Sequence, residues 1–294
     1  MKAITKPLVA LILGISSSVA LAESNQEPLQ LDFGVYTTEK PTTMVRKMRP
    51  ILDEVEVRLA ERLERPVSIA LQISTDYTDA INALVDGRVD FARLEQSAYI
   101  KAKASEPKIK VLAVEGDARR SAFKGHIVVR DESAIRTLAD LRGVEMAFAQ
   151  PISAVDRYIP QHHLFQNGIQ LGDLSGIRYL DRQDKVASAV KLGLVEAGAI
   201  SEGTLRDQIA RGAPLRVISE YTNPTRPWVA SSSMPRELSI QIREVLISMR
   251  GVKVLELIKK DCFRPGADSN FRSVRAAIEA NWKFSGKPVP ALIN

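Results

Sequence analysis

Residues 67–94 read VSIALQISTDYTDAINALVDGRVDFARL, and this stretch decides the fold class. Residues 67–73 alternate in a way that predicts a β-strand. The Thr75-Asp76 pair can cap a helix, which should end at Asp86-Gly87, and residues 89–94 predict a second strand. A strand, a helix and a strand joined by short turns are typical of an α/β protein with mainly parallel strands.

The same order extends in both directions along the chain. Residues 31–36 predict a strand, and apolar residues at spacings of three and four then predict a long helix as far as Leu63. Pro50 lies inside that helical pattern and should either kink the helix or mark its true start. Downstream, residues 97–104 predict a helix and residues 109–114 another strand.

A second α/β unit follows a strand-like segment at residues 123–130. It contains predicted strands at 144–149, 177–180, 195–200 and 215–218, and predicted helices at 153–167, 184–194 and 202–210. A strand is then predicted at 228–230, and only helical patterns occur at 235–283.

We therefore expect an α/β protein with two lobes, each a mostly parallel sheet flanked by helices. Residues 23–126 and 222–294 should form lobe 1, and residues 127–221 should form lobe 2, inserted into lobe 1. The hinge segments should lie near residues 124–130 and 219–229.

The first 22 residues predict a cleavable signal peptide. Lys2 and Lys6 lie in a start without acidic residues, and residues 7–15 form an apolar run too short to span a bilayer. Ala20-Leu21-Ala22 places small residues before a cleavage ahead of Glu23. This pattern predicts export to the periplasm.

Cysteine content and hydropathy limit how the exported protein is held. The sole cysteine, Cys262, lies far from the cleavage site, so we expect neither a lipoprotein nor an internal disulfide. No later stretch has the roughly 18 apolar residues that a membrane helix needs, so the protein should not be membrane-embedded. A net charge of +6 over 294 residues does not point to nucleic acid.

Catalytic motifs are absent from the sequence. There is no Gly-x-Ser-x-Gly elbow, no phosphate-binding Gly-x-x-x-x-Gly-Lys loop and no Gly-x-Gly-x-x-Gly turn. Of the three histidines, His162 and His163 are adjacent and would point about 100 degrees apart on a helix, which suits a shared metal poorly. We therefore expect no enzyme activity, no metal and no cofactor.

Several segments occur in an order that resembles one known family. They are Phe33–Tyr36, Thr75–Tyr77, Gly87–Ala92, Phe123–Arg130, Thr137–Gly143, Phe148–Pro151 with Ser153, Gly193–Ala199 and Pro227–Val229. Together they resemble the periplasmic substrate-binding proteins of phosphate, phosphite and phosphonate ABC importers. This resemblance implies the type II periplasmic binding protein fold, in which two lobes close on a ligand at the hinge.

The ligand pocket departs from the pattern that this resemblance implies. Phosphonate-type members hold the oxyanion with a Ser-Thr-Ser-Gly run at a helix start, where free N–H groups favour an anion. The matching residues here are Ser153-Ala154-Val155-Asp156. At ~4 Å and an effective dielectric constant of about 20, Asp156 would repel a phosphonate by roughly 4 kcal/mol. We therefore expect a small polar or zwitterionic solute.

The candidate ligand-binding residues lie at strand ends and helix starts that should face the cleft. Two tyrosines would form aromatic walls, and the charged residues would contact a ligand that carries both charges. The full set is Tyr36, Thr37, Tyr77, Gln96, Ser97, Lys124, Ser153, Asp156, Arg157, Arg182, Gln183, Ser201 and Glu202. Glu95 is a further group that could bind an ammonium, and Trp228 should pack at the hinge.

Two binding functions remain open from the sequence, beside a hydrolase or transferase on the same fold, which the missing catalytic motifs disfavour. The first is a solute-binding protein that delivers its small-molecule ligand to an ABC permease. The second is a periplasmic ligand-sensing subunit that acts with a membrane sensor kinase. In either case we expect a monomer.

Overall fold

The structure, a computed structural model, describes residues 27–118 and 123–286. Its strands are β1 Leu29–Tyr36, β2 Val67–Ser74, β3 Phe91–Arg93, β4 Lys110–Gly116, β5 Phe123–Arg130, β6 Glu145–Phe148, β7 Gly176–Tyr179, β8 Ala197–Ser201, β9 Leu215–Asn223, β10 Pro227–Ala230 and β11 Cys262–Pro265. Its α-helices are α1 Pro41–Leu63, α2 Tyr77–Val85, α3 Gln96–Ser105, α4 Ile159–Gln166, α5 Gln183–Lys191, α6 Glu202–Ala210, α7 Arg236–Ser248, α8 Arg272–Glu279 and α9 Asn281–Ser285. The predicted signal peptide, residues 1–22, lies outside the described residues.

Two sheets form the two lobes and confirm the α/β class. In the described part of the chain, the first sheet has the order β11-β4-β10-β3-β1-β2 and the second has the order β7-β6-β8-β5-β9. Strands β1 to β4 all run in one direction, and β10 and β11 run against them. In the second sheet only β5 opposes the other strands. We call the body around the first sheet the first lobe and the body around the second sheet the second lobe.

The chain passes between the lobes where β9 gives way to β10. β5 and β9 pair from Phe123 with Asn223 to Arg130 with Leu215. Residues 224–226 then lead directly into β10 of the first sheet. The lobe boundaries expected at 126/127 and 221/222 fall inside these paired strands and stay a prediction.

Helix α1 starts at Pro41 and continues through Pro50, so Pro50 does not mark the start of the helix. A proline at the first helical position loses nothing, because the N–H there has no intrahelical partner. The interior proline is tolerated because an apolar face packs into the core of the first lobe. The buried residues of this face are Met44, Met48, Ile51, Leu52, Val55 and Leu59.

Two other elements differ from the sequence-based expectation. The helix expected at 153–167 begins with a π-helical turn at Ala154–Tyr158 and continues as α4. β11 lies in a region where only helices were expected. It is a short edge strand that pairs antiparallel with β4, Cys262 opposite Gly116, so distant pairing forms it rather than local periodicity.

The C-terminal helices α8 and α9 contact both lobes. α8 packs against α3 of the first lobe and against α4 of the second lobe, and α9 packs against α4. Phe271 and Phe284 are buried in an apolar cluster that includes residues of both lobes. No helix in the described ranges is long and apolar enough to cross a membrane.

Candidate functional site

Glu95 connects the two lobes at the point where β3 ends and α3 begins. It is the N-cap of α3, and its Oε2 accepts hydrogen bonds from the Ser97 N–H at 3.0 Å and from the Ser97 hydroxyl. Its Oε1 accepts hydrogen bonds from the Ser153 hydroxyl and the Ala154 N–H of the second lobe, both at 2.9 Å. The carboxylate therefore lies at the start of the helical segment that follows Ser153.

Two tyrosines extend this contact within the first lobe. The Tyr77 and Ser97 hydroxyl oxygens are 2.7 Å apart, and the Ser97 hydroxyl also lies 2.7 Å from the Ile152 carbonyl oxygen. The Tyr36 and Tyr77 rings meet edge to face, with centroids 5.4 Å apart. Burial, with a smaller contribution from the Glu95 charge, raises the pKa of Tyr77, so its phenol stays protonated and can donate a hydrogen bond.

Asp156 anchors a second set of contacts inside the second lobe. Its Oδ1 accepts a hydrogen bond from Gln183 Nε2 at 2.6 Å. Gln183 Oε1 in turn accepts hydrogen bonds from the Ser201 N–H and the Thr204 hydroxyl, both at 2.9 Å. Burial, together with the smaller effect of the Glu95 charge, raises the pKa of Asp156 to about 6, although the hydrogen bond from Gln183 acts in the opposite direction.

A buried ion pair lies in the first lobe. Arg93 and Glu115 are both buried and pair through two hydrogen bonds, the longer being 3.1 Å from Arg93 Nη2 to Glu115 Oε2. Burial opposes ionisation of Glu115, but the Arg93 guanidinium holds the pKa of that carboxyl below its usual value. Trp228 is fully buried beside this pair and donates from Nε1 to Glu115 at 3.2 Å.

Arg226 lies in the crossing between β9 and β10. Its carbonyl oxygen accepts a hydrogen bond from the Glu115 N–H at 3.1 Å. The charge of Arg93 and desolvation lower the pKa of Arg226, and the carboxylates of Glu115, Glu95 and Asp156 raise it. The guanidinium therefore experiences charges from both lobes, yet it forms no ion pair within the described residues.

The structure brings most of the candidate ligand-binding residues into one connected set between the lobes. Direct contacts run from one neighbour to the next through Tyr36, Tyr77, Ser97, Glu95, Ser153, Asp156, Gln183 and Ser201. Gln96 lies between Glu95 and Ser97 in the chain, and its Nε2 donates to the carbonyl oxygen of Pro224, which lies in the segment between β9 and β10, at 2.7 Å.

Three charged candidates have partners away from this set. The exposed Lys124 pairs with Glu220 at 2.5 Å. Arg157 donates to the Pro151 carbonyl at 2.9 Å and to Asn281 of α9 at 3.0 Å, and the exposed Arg182 pairs with Asp184 at 2.7 Å.

The last two candidates have local roles. The buried Thr37 accepts a hydrogen bond from the Glu39 N–H at 3.0 Å, which shapes the turn before α1. Glu202 opens α6 and acts electrostatically on Lys124 and His126. Where a ligand would lie relative to these residues stays a prediction.

Sequence reasoning missed two features of this site. It treated Glu95 as a possible ammonium contact but did not place it against Ser153, and it assigned no role to Arg226. Glu95 is the N-cap of α3, but Glu is not among the residues preferred at that position, so the sequence carried little signal for this role. No group of three or more His, Cys, Asp or Glu side chains suited to a metal ion occurs in residues 27–118 and 123–286.

Comparison with known proteins identifies the family. A sequence model described as "ABC transporter, phosphonate, periplasmic substrate-binding protein" matches residues 33–271. XAC2383 from Xanthomonas citri, solved bound to chloride ion, has a TM-score of 0.72 at 20% identity and covers 87% of this chain and 98% of its own. PhnD1 from Prochlorococcus marinus, solved with methylphosphonate, has a TM-score of 0.70 at 14% identity, with coverage of 87% and 98%.

A sulphonate-binding protein shares the same architecture. The periplasmic aliphatic sulphonate binding protein SsuA from Escherichia coli has a TM-score of 0.53 at 22% identity, and the match covers 90% of this chain and 80% of that chain. At these identities the solved structures establish the two-lobed binding-protein fold, and the sequence model establishes the family. This chain therefore belongs to the periplasmic substrate-binding proteins of phosphonate-type ABC transporters.

Proposed function

We propose that this protein binds a small zwitterionic or polar solute between its two lobes, closes on it and delivers it to an ABC permease. One observation carries the proposal. The carboxylates of Glu95 and Asp156 and the guanidinium of Arg226 act on one another electrostatically, yet Arg226 forms no ion pair with a described residue. A solute with an anionic end toward Arg226 and an ammonium end toward Asp156 would supply the missing partners.

Unsatisfied acceptors at the hinge support a solute that donates hydrogen bonds. Gln96 Oε1 and Asn223 Oδ1 are buried and have no hydrogen-bond partner among the described residues. A buried acceptor without a donor costs about 1–3 kcal/mol, so a ligand that supplies N–H donors would gain affinity there. A primary ammonium group supplies three N–H donors.

A ligand that is only an oxyanion fits the same cleft poorly. Two carboxylates, Glu95 and Asp156, flank the helix start at Ser153. At ~4 Å and an effective dielectric constant of about 20, each such contact with an anion costs roughly 4 kcal/mol. We therefore place the anionic group of the solute at Arg226 rather than at Ser153.

The biological setting is part of the proposal. The matched family consists of transporter subunits and not enzymes, which supports transport over sensing with a membrane kinase. Three points remain predictions: export through the signal peptide, release into the periplasm without a lipid anchor, and action as a monomer. Mass analysis of the secreted protein would test all three.

Isothermal titration calorimetry tests the ligand class. The panel contains amino acids, betaines and aminoalkylphosphonates as zwitterions, with inorganic phosphate, methylphosphonate and simple amines as references that carry charge of one sign only. We expect zwitterions to bind and to reduce the radius of gyration in small-angle scattering. Arg226→Gln should weaken that binding at least about tenfold, the effect of losing one charge-assisted contact.

Arg178→Gln is the matched control, because Arg178 pairs with Glu145 on β6 and has no contact with the connected set. It should bind as the wild type does. The proposal fails if no zwitterion in the panel binds, or if phosphate and methylphosphonate bind as tightly as the zwitterions.

A further inference from the structure

We propose that Glu95 is a built-in anion that occupies the oxyanion position of the second lobe and so determines specificity, excluding phosphate-like ligands from the helix start at Ser153. This proposal rests on the proposed function in one respect only: the lobes must separate to admit a ligand. The exclusion of phosphate-like ligands from Ser153 is supported by the set of hydrogen bonds that Glu95 accepts.

The contacts show a carboxylate already bound at this position. The Ser153 hydroxyl and the Ala154 N–H donate to Glu95 Oε1, both at 2.9 Å. The helical turn that begins at Ala154 runs directly into α4, so the segment continues as far as Gln166. Free N–H groups at such a start favour an anion, and here Glu95 supplies it from the opposite lobe.

The first lobe holds this carboxylate in place. The Ser97 N–H donates to Oε2 at 3.0 Å, and the Ser97 hydroxyl donates to the same oxygen. Ser97 and Ser153 are both buried. Each carboxylate oxygen accepts two hydrogen bonds, and the Ser153 hydroxyl and the Ala154 N–H are already used by Glu95. A second anion would have to displace Glu95 from these two donors, and it would lie beside both Glu95 and Asp156.

The other end of α3 provides a matched comparison. Glu106 follows α3 and accepts a hydrogen bond from the Lys108 N–H at 2.9 Å, two residues further along, as Glu95 does with Ser97. None of the hydrogen bonds of Glu106 reaches the second lobe. Its substitution removes the same charge and a similar local bond, but leaves Ser153 and Ala154 with their partner.

Calorimetric titration with methylphosphonate and with inorganic phosphate at pH 7.5 tests the proposal. Glu95→Ala frees the Ser153 hydroxyl and the Ala154 N–H and removes one negative charge. It should bind either anion at least about tenfold more tightly than the wild type, a conservative fold-change for restoring charge-assisted donors. Glu106→Ala should keep the wild-type affinity, and Glu95→Ala with Ser153→Ala should lose the gain.

Glu95→Gln keeps an acceptor for the α3 N-cap, so it carries the same test if Glu95→Ala does not fold by circular dichroism. The proposal is overturned if the wild type binds the anions as tightly as the Glu95 variants. It is also overturned if a folded Glu95 variant shows no gain, or if Glu106→Ala shows the same gain. The comparison of each Glu95 variant with the wild type is separate from the test of the proposed function, which compares zwitterions with anions on the wild type alone.

Discussion

Asp156 illustrates how much a single residue depends on its surroundings. In the sequence it is an acid at a helix start, where negative charge is favoured. In the fold, burial and the nearby charge of Glu95 raise its pKa to about 6, even though Gln183 donates a hydrogen bond to it. Its charge therefore changes in a pH range where most carboxylates stay ionised.

This shift predicts a pH dependence of stability. Between the unfolded pKa near 4 and the folded pKa near 6, the native state binds more protons than the unfolded state, so lowering the pH stabilises the native state. Compared with Asp156→Asn, the wild type should gain about 1–2 kcal/mol of unfolding free energy from pH 7.5 to pH 5, after allowance for partial exposure.

Urea denaturation of both proteins at both pH values measures this gain. The difference between the two proteins isolates Asp156, because other titrating groups contribute to both. The quantity compared is the unfolding free energy of the wild type minus that of Asp156→Asn. If this quantity stays constant with pH, or becomes more positive as the pH rises, the raised pKa of Asp156 is contradicted.

Arg157 shows what a local pattern misses at the scale of one residue. It lies next to Asp156, and its expected contact with a ligand stays a prediction. Its guanidinium donates to Asn281 in α9 and to the Pro151 carbonyl. Asn281 lies 124 residues away in the chain, so no local pattern could have indicated this partner.

Individual helices and strands were largely predictable because their signals are local. Asp76 caps α2 by accepting from the Asp79 N–H at 2.7 Å, and Ser201 caps α6 by accepting from the Thr204 N–H at 3.3 Å. A side-chain oxygen that satisfies a free N–H within three residues is visible in the sequence. β11 lacked such a signal, because it depends on pairing with β4.

At the scale of an element, the pairing of β5 with β9 leaves no space for a side chain at Gly125. Gly125 lies opposite the buried Tyr221, and a Cβ at Gly125 would overlap the Tyr221 ring. Gly125→Ala should therefore force the ring or the strand to move and lower the unfolding free energy by about 1–3 kcal/mol.

Gly172→Ala is the control, because nothing lies within 4 Å of the Cβ that it would add. Chemical denaturation of the two variants and the wild type measures the effect. If Gly125→Ala and Gly172→Ala are equally stable, the prediction is wrong, because the Tyr221 ring can then move aside without lowering the unfolding free energy.

At the scale of the whole molecule, the C-terminal helices connect the lobes through one apolar cluster. Phe284 of α9 is 1% exposed and belongs to the same cluster as Tyr99 of the first lobe and Leu164 of the second. Packing shared in this way couples the stability of the two lobes.

Phe284→Ala should lower the unfolding free energy by about 3–5 kcal/mol, the usual cost of removing a buried phenylalanine. Hydrogen exchange should accelerate together in α3 and α4, one helix from each lobe. The neighbouring Trp282, which is 51% exposed, provides the control: Trp282→Ala should change little. Faster exchange confined to one lobe would contradict the coupling.

The α/β class, most strands and helices and the family could all be predicted from the sequence, because hydrophobic periodicity, capping residues and ordered short motifs act over a few residues. The export signal is also a local pattern, and it stays a prediction. Three features could not be predicted in this way: the hydrogen bond between Glu95 and Ser153, 58 residues away, the charges of both lobes around Arg226, and the contact of Arg157 with α9. These contacts join segments that are remote in the chain, and they exist only once both sheets have formed and packed together.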